Sequence, residues 1–311
     1  MSLNKELHSP SEANTVALTA FSFRKPLSLR MLEGLRTLWR ALTSNRKVAI
    51  GTAIVMLFML LAIFGPLLAP YNPTQISQAG SLGPSAHHLL GTTTTGQDIF
   101  SQLLYGTRSS ILWSFATGLV VTFLSVLVGL VGGYFGGTVD DTLSLLTNIF
   151  LVLPALPLAI VLAAYFPRGP LTIALVITFT SWSWQARVLR SQTLSMRNRE
   201  FVIAARTCGE RAGRIIFAEI FPNEIGLVAA GFVSTTIFVI LTWAALEFLG
   251  LGDPNAVSWG SILYWAQQAD SIFSGAWWWF VPPGFCIALL GMALALINFG
   301  IDEIADPRLR S

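Results

Sequence analysis

Val48-Ala-Ile-Gly-Thr-Ala-Ile-Val-Met-Leu-Phe-Met-Leu-Leu-Ala-Ile-Phe-Gly-Pro-Leu-Leu-Ala69 contains no charged residue. An α-helix rises 1.5 Å per residue and needs about 20 apolar residues to cross about 30 Å of hydrocarbon. This stretch is long enough. It is apolar continuously, without the alternation of a barrel strand. A helix also satisfies its own backbone hydrogen bonds, which lipid cannot do. The run therefore reads as a transmembrane helix. Five more follow, at 111–139, 142–167, 169–186, 225–246 and within 278–300. The pattern predicts an all-α, polytopic membrane protein with six transmembrane helices. Phe166-Pro167-Arg168-Gly169-Pro170 makes the third and fourth runs a tight hairpin.

The composition agrees. The 311 residues are 53% hydrophobic and 11% charged, with a mean hydropathy of +0.65. Soluble domains carry about 25% charged residues, so too few are present here to wet a soluble fold. An ordinary soluble enzyme, a disordered chain and a collagen-like fibre are excluded. The net charge of +3 is small, and its distribution carries the information. Of the 19 Lys and Arg, all but Arg108 and Arg168 lie before the first run, between the fourth and fifth, or after the sixth. An even number of spans puts those three segments on one side. The positive-inside rule makes that side the cytoplasm and places both termini there.

The chain divides accordingly. Residues 1–47 form a cytoplasmic N-terminal segment, 48–69 the first helix, and 70–110 an extracytoplasmic loop. Residues 111–301 form a core of five helices with a cytoplasmic loop at 187–224, and 302–311 form a cytoplasmic tail. Within the first segment, residues 27–45 read as an amphipathic interfacial helix, with Met31, Leu35, Trp39 and Leu42 on its apolar face. The first apolar run starts too far into the chain, and is too long, for a cleaved signal peptide. Residues 98–107 read as a short interfacial helix and 259–269 as another helical stretch. Trp277, Trp278, Trp279 and Phe280 read as an aromatic interface belt. Pro154 and Pro157 are expected to kink the third span. Gly129, Gly132, Gly133, Gly136 and Gly137 are expected to let helices pack closely.

Catalytic chemistry finds no footing. His8, His87 and His88 have no metal-ligand spacing, and the adjacent pair reads as solvated. There is no HExxH and no nucleophile elbow. Lys5, Lys25 and Lys47 lie outside any Gly-rich loop, so this chain makes no P-loop. No catalytic residue, resident metal or cofactor is expected, and any ATP and Mg belong to partner subunits. Cys208 falls in the cytoplasmic loop and Cys286 in the last span, so no disulfide is expected. Glu247 is the one ionisable candidate in a span, near the external end of the fifth. It marks either a pathway group or a side chain reaching water. Such poverty of buried charge argues against an ion-coupled secondary carrier. That carrier, or a membrane scaffold without a pathway, remains the alternative class.

The loop 187–224 is too long for a hairpin turn and too apolar for a solvated tether. It reads as a helix through Phe201–Ala205, a bend at Gly209, and a second helix over 211–221 ending at Pro222-Asn223. Small Ala204 and Ala205 permit close approach to another surface. That surface is either a partner protein or the chain's own helix ends.

The segment Glu200-Phe-Val-Ile-Ala-Ala-Arg-Thr-Cys-Gly209, followed by Ile220-Phe221-Pro222-Asn223, resembles the Glu-Ala-Ala coupling loop of ABC-importer permeases. Leu90-Gly91-Thr92, Gly96-Gln97-Asp98 and Leu104-Tyr105-Gly106-Thr107-Arg108 resemble an external segment of the same family. So do Phe248-Leu249-Gly250-Leu251-Gly252 with Ser258-Trp259-Gly260, Pro283-Gly284, and Asp306-Pro307-Arg308. In order over about residues 30–310, they resemble the C-type permease subunit of dipeptide, oligopeptide and nickel importers. Ile203, Phe221, Thr93, Gln97 and Trp243 depart from the family's usual residues.

The resemblance implies the six-helix fold of a type I importer permease in the prokaryotic plasma membrane. It implies that Glu200, Ala204, Ala205, Arg206, Gly209 and Pro222 couple this chain to an ATP-binding subunit. The partners it implies are a homologous second permease, two ATP-binding subunits, an extracytoplasmic solute-binding protein and the lipid membrane; no nucleic acid is expected. Trp243 and Glu247 become candidate pathway residues. Peptide is the family's commonest cargo, with cellobiose-type oligosaccharides or nickel as alternatives. Trp259, Tyr264 and Trp265 would offer rings to a sugar or anchor at the interface.

Overall fold

The structure, a computed structural model, describes residues 46–77 and 80–305. The expected helix at 27–45 and the Asp306-Pro307-Arg308 motif lie outside the described residues. Helix α1 is Arg46–Leu68 and α2 is Ile99–Phe135. Helix α3 is Gly137–Val152, α4 is Ala155–Tyr165, α5 is Pro170–Ser181, α6 is Ser183–Met196 and α7 is Glu200–Thr207. Helix α8, Ala212–Phe248, is continuous through a π-helical turn at Ile215–Ile220. Helices α9, Trp259–Gln268, and α10, Trp277–Ala305, complete the order. Among the described residues the only β pairing is one isolated bridge, Thr92 with Asp98.

Helix α2 is the central post, and it packs against α1, α5, α6 and α8. Residues 98–107 are not a separate interfacial helix; they are the first turns of α2, so the preceding loop ends twelve residues earlier than its expected boundary. The cause is local. The Asp98 carboxylate accepts the Ser101 N–H at 2.8 Å and the Ser101 hydroxyl at 2.6 Å, capping the helix start. Nothing between Thr107 and Ile111 breaks the helix. Half-buried His88 is not a solvated residue either, because its Nδ1 meets Asp98 Oδ1 at 2.9 Å. Part of the glycine stripe packs as expected: a Cβ at Gly129 would lie 2.8 Å from the Ala186 carbonyl and one at Gly133 2.6 Å from Thr193 Cβ, both on α6. Nothing of the described residues lies within 4 Å of one at Gly137.

The third run is broken: α3 and α4 meet at 89°. Leu153 is extended, with ψ 130°, and Pro154 caps α4. A residue before proline avoids the α region, so the break falls there. Pro157 makes no kink. It sits in the first turn of α4, where its missing N–H has no intrahelical partner to lose.

Four helices, α1, α2, α8 and α10, are long and apolar enough to cross a membrane, or five if α3–α4 counts as one span. Helix α5 has 12 residues, about 18 Å of rise, and is too short to cross alone. The chain stays helical at Trp182 (φ −70°, ψ −26°) and leads into α6.

Two further expectations differ. The helix after Gly209 does not end at Pro222 but runs on to Phe248. In the π-helical turn the Phe221 N–H bonds the Ile216 carbonyl, five residues back. That register relieves the clash a proline ring makes with the carbonyl four residues before it. The aromatic cluster is also not a belt throughout. Trp277 is exposed, but Trp279 is buried with Ile99, Ile262 and Ala266 beneath α9.

Candidate functional site

Three places bear on function. The first is α7 and the turn behind it. Val202 is buried among Val126, Leu130, Leu189, Ile215, Ile216 and Ile220, which fastens α7 to α2, α6 and the start of α8. The Arg206 guanidinium lies 4.7 Å over the Tyr134 ring. The helix then stops cleanly. Glu210 N–H bonds the Ala205 carbonyl at 3.1 Å and Gly209 N–H the Arg206 carbonyl at 3.0 Å. With Gly209 at φ +76°, this is a Schellman stop, which requires the left-handed conformation glycine adopts freely.

The other face of α7 is bare. Among the described residues, Phe201 is 39% and Ile203 52% exposed, Ala204 and Arg206 are exposed, and nothing lies within 4 Å of a Cβ built on Gly209. Glu200, in the first turn, and Asn223, beside Pro222, line one cleft of about 530 Å³. The structure thus gathers Glu200, Ala204, Ala205, Arg206 and Gly209 in one short helix and its stop. It sets Pro222 on the adjoining first part of α8.

The neighbouring charges were not singled out from the sequence. Arg190 on α6 grips Asp140 on α3 with two hydrogen bonds, Nε to Oδ1 at 2.5 Å and Nη2 to Oδ2 at 2.7 Å. The hydrogen bond to Asp140, against partial burial, holds the Arg190 guanidinium above its ordinary value. Thr193 donates to the buried Glu224 carboxylate at 2.9 Å. These pairs join residues tens of positions apart, and no local spacing signals them.

The second place holds Trp243 and Glu247, both buried. Trp243 stacks on Trp113, with centroids 5.9 Å apart and planes at 15°. Glu247 accepts the Ser258 hydroxyl at 2.5 Å, and a Cβ at Gly260 would come 2.6 Å from its Oε2. The carboxylate therefore ties the end of α8 to the start of α9. Trp259 is 1% exposed and bonds Thr107 Oγ1 through its indole N–H at 3.2 Å, so its ring is not open to a sugar. Trp265 remains 46% exposed.

The third place is a cavity of about 700 Å³ where the α3–α4 break and the α5–α6 junction face α8 and α10. Its wall includes Leu153, Thr180, Gln185, Gly231, Thr235 and Asn298, and among the described residues it carries no charged side chain. The signal in the sequence was slight: neutral polar residues such as Gln185 and Asn298 interrupting otherwise apolar runs.

The described residues thus form a helical body with four or five apolar helices long enough to cross a membrane and a short, half-bare helix packed on the two longest of them. The chain matches the family described as binding-protein-dependent transport system inner membrane component over residues 125–311. Residues 35–84 match the N-terminal TM domain of oligopeptide transport permease C. It is 32% identical to the oligopeptide transport system permease protein OppC of Bacillus subtilis over 98% of both chains. It is 34% identical to the dipeptide transport system permease protein DppC of Escherichia coli over 89% of this chain and 94% of that one. This chain belongs to the family of binding-protein-dependent transport permeases, and it is a multi-pass protein of the prokaryotic plasma membrane.

Proposed function

We propose that the chain is one permease subunit of an ATP-driven importer that carries peptides. A second, homologous permease completes the pathway, two separate ATP-binding subunits hold ATP and Mg, and an extracytoplasmic binding protein delivers the cargo. The relatives' names, which specify oligopeptides and dipeptides, favour peptide over oligosaccharide or nickel. Both termini lie in the cytoplasm in this reading, and α5 with the start of α6 serves as the span that completes six.

The observation that carries the proposal is the two-faced α7. One face is anchored through Val202, and the other presents Phe201 and Ile203, which the described residues leave 39% and 52% exposed. Exposed apolar surface of this kind wants a partner. A groove in an ATP-binding subunit would seat it, with Gly209 leaving room at the bend. Closure of two such subunits would push α7, and the Val202 core would pass the push to α8. That helix is 37 residues long, about 55 Å, and ends at Glu247 and the α9 clamp. A packed helix moves as a rigid element, so one push reaches both ends of the molecule.

Reconstitution tests this directly. The chain with its partner permease, ATP-binding subunits and binding protein should accumulate peptide in liposomes only when ATP is supplied. Concentrative uptake by the chain alone, driven by an ion gradient, would replace the proposal with a self-contained carrier.

A further inference from the structure

The large cavity contains a polar device that coupling does not use. Gln185 on α6 is 7% exposed. Its Oε1 accepts the Thr235 hydroxyl at 2.9 Å, while its Nε2 is buried without a partner among the described residues. Whichever way an amide is turned, a hydrogen bond at one end leaves the other end to be satisfied. Across the cavity, Asn298 on α10 donates to Ser234 at 3.2 Å, and its Oδ1 is likewise buried and unpartnered among the described residues. The cavity lining therefore offers an orphan donor from α6 and an orphan acceptor from α10.

The fold makes room for this arrangement. Gly231, Ser234 and Thr235 share one face of α8, as residues three and four apart do. A Cβ at Gly231 would fall on the Gln185 amide, so glycine there lets the amide lie across α8. Buried polar groups left unpaired are costly, and a ligand in this cavity that paired them would recover that cost. An uncharged wall suits neutral groups; a divalent metal would want carboxylate, imidazole or thiolate. A peptide bond, with one C=O and one N–H, matches the two orphans in kind.

We infer that the Gln185–Thr235 pair, with Asn298 opposite, is a contact site for the cargo's main-chain amide. It reads the peptide backbone and is indifferent to side chains. The inference rests on the peptide-importer reading above.

The test uses the complete transporter in proteoliposomes, with trialanine and an analogue whose central carbonyl is a thiocarbonyl, a weaker acceptor. The wild type should favour trialanine. Gln185→Leu should raise the KM for trialanine about tenfold, the loss of roughly one hydrogen bond, and should abolish discrimination between the two probes. Gly231→Ala is the control on folding: it meets only the end of a flexible side chain, yet it displaces the same amide and should show the same loss. A wild-type complex that imports trialanine, with KM unchanged in both variants, would overturn the inference and leave the importer reading intact. Loss of the second permease from purified Gln185→Leu complexes would overturn it too, by giving the cavity to subunit packing. A wild-type complex that takes cellotriose and refuses trialanine would remove the peptide reading and this inference together.

Discussion

Gly209 combines two demands, a left-handed backbone and an open surface. They separate experimentally. Gly209→Ala adds only the backbone strain of a Cβ at φ +76°, about 1–2 kcal/mol. Gly209→Arg adds that strain and a long side chain where the described residues offer no obstacle. Pull-down of the ATP-binding subunits should therefore be largely kept by the alanine variant and lost by the arginine variant. Equal retention by both would remove the docking role. Glu247 differs in kind, since its carboxylate is enclosed by Ser258 and Gly260. Glu247→Ala leaves the Ser258 hydroxyl without its acceptor, a cost of about 1–3 kcal/mol. The purified complex should melt several degrees lower while the KM for peptide holds within twofold. A changed KM at an unchanged melting temperature would make Glu247 a pathway group after all.

Among elements, the joints that the proposed coupling depends on are those around α7. Helix α7 is too short to be stable alone and owes its place to Val202 and the Tyr134–Arg206 contact. The bond between α3 and α6 is electrostatic: Asp140 meets Arg190 in a two-pronged pair at the end of the molecule where α7 sits. Asp140→Asn should loosen that joint and lower ATP-driven uptake several-fold, and the exchange Asp140→Arg with Arg190→Asp should restore part of it. Full activity in the single variant would make the pair incidental. The elements also show why some readings of the sequence missed. Pro222 looked like a helix end because proline removes a hydrogen bond, but the π-helical turn before it absorbs the defect. Residues 98–107 read as a short interfacial helix, yet Tyr71 and Pro73 bond their side chains, Trp259 of α9 bonds Thr107, and the helix continues without a break.

For the whole molecule, orientation is the open quantity, and the protein carries its own reporter. Cys208 is exposed beside Gly209, and Cys286 is half-buried. In a Cys286→Ser background, a membrane-impermeant maleimide should label Cys208 in inside-out vesicles and leave intact cells unlabelled. Labelling of intact cells would invert the topology and with it the coupling role of α7.

What the chain's order of residues determined unaided was the environment and the helical class. Runs such as 48–69 can meet a bilayer's demand for internal hydrogen bonding only as helices, and that demand needs no knowledge of neighbours. The helix–Gly209–helix outline was legible for the same reason: a glycine stop and helical spacing are local signals. What only the tertiary structure decided was every feature that joins distant segments. The Asp140–Arg190 joint, the enclosure of Glu247, the burial of Trp259 and the Gln185–Thr235 pair each unite side chains 11 to 152 positions apart. Periodicity tells which face of a helix is apolar; it does not tell which polar group on another helix will be brought to meet it.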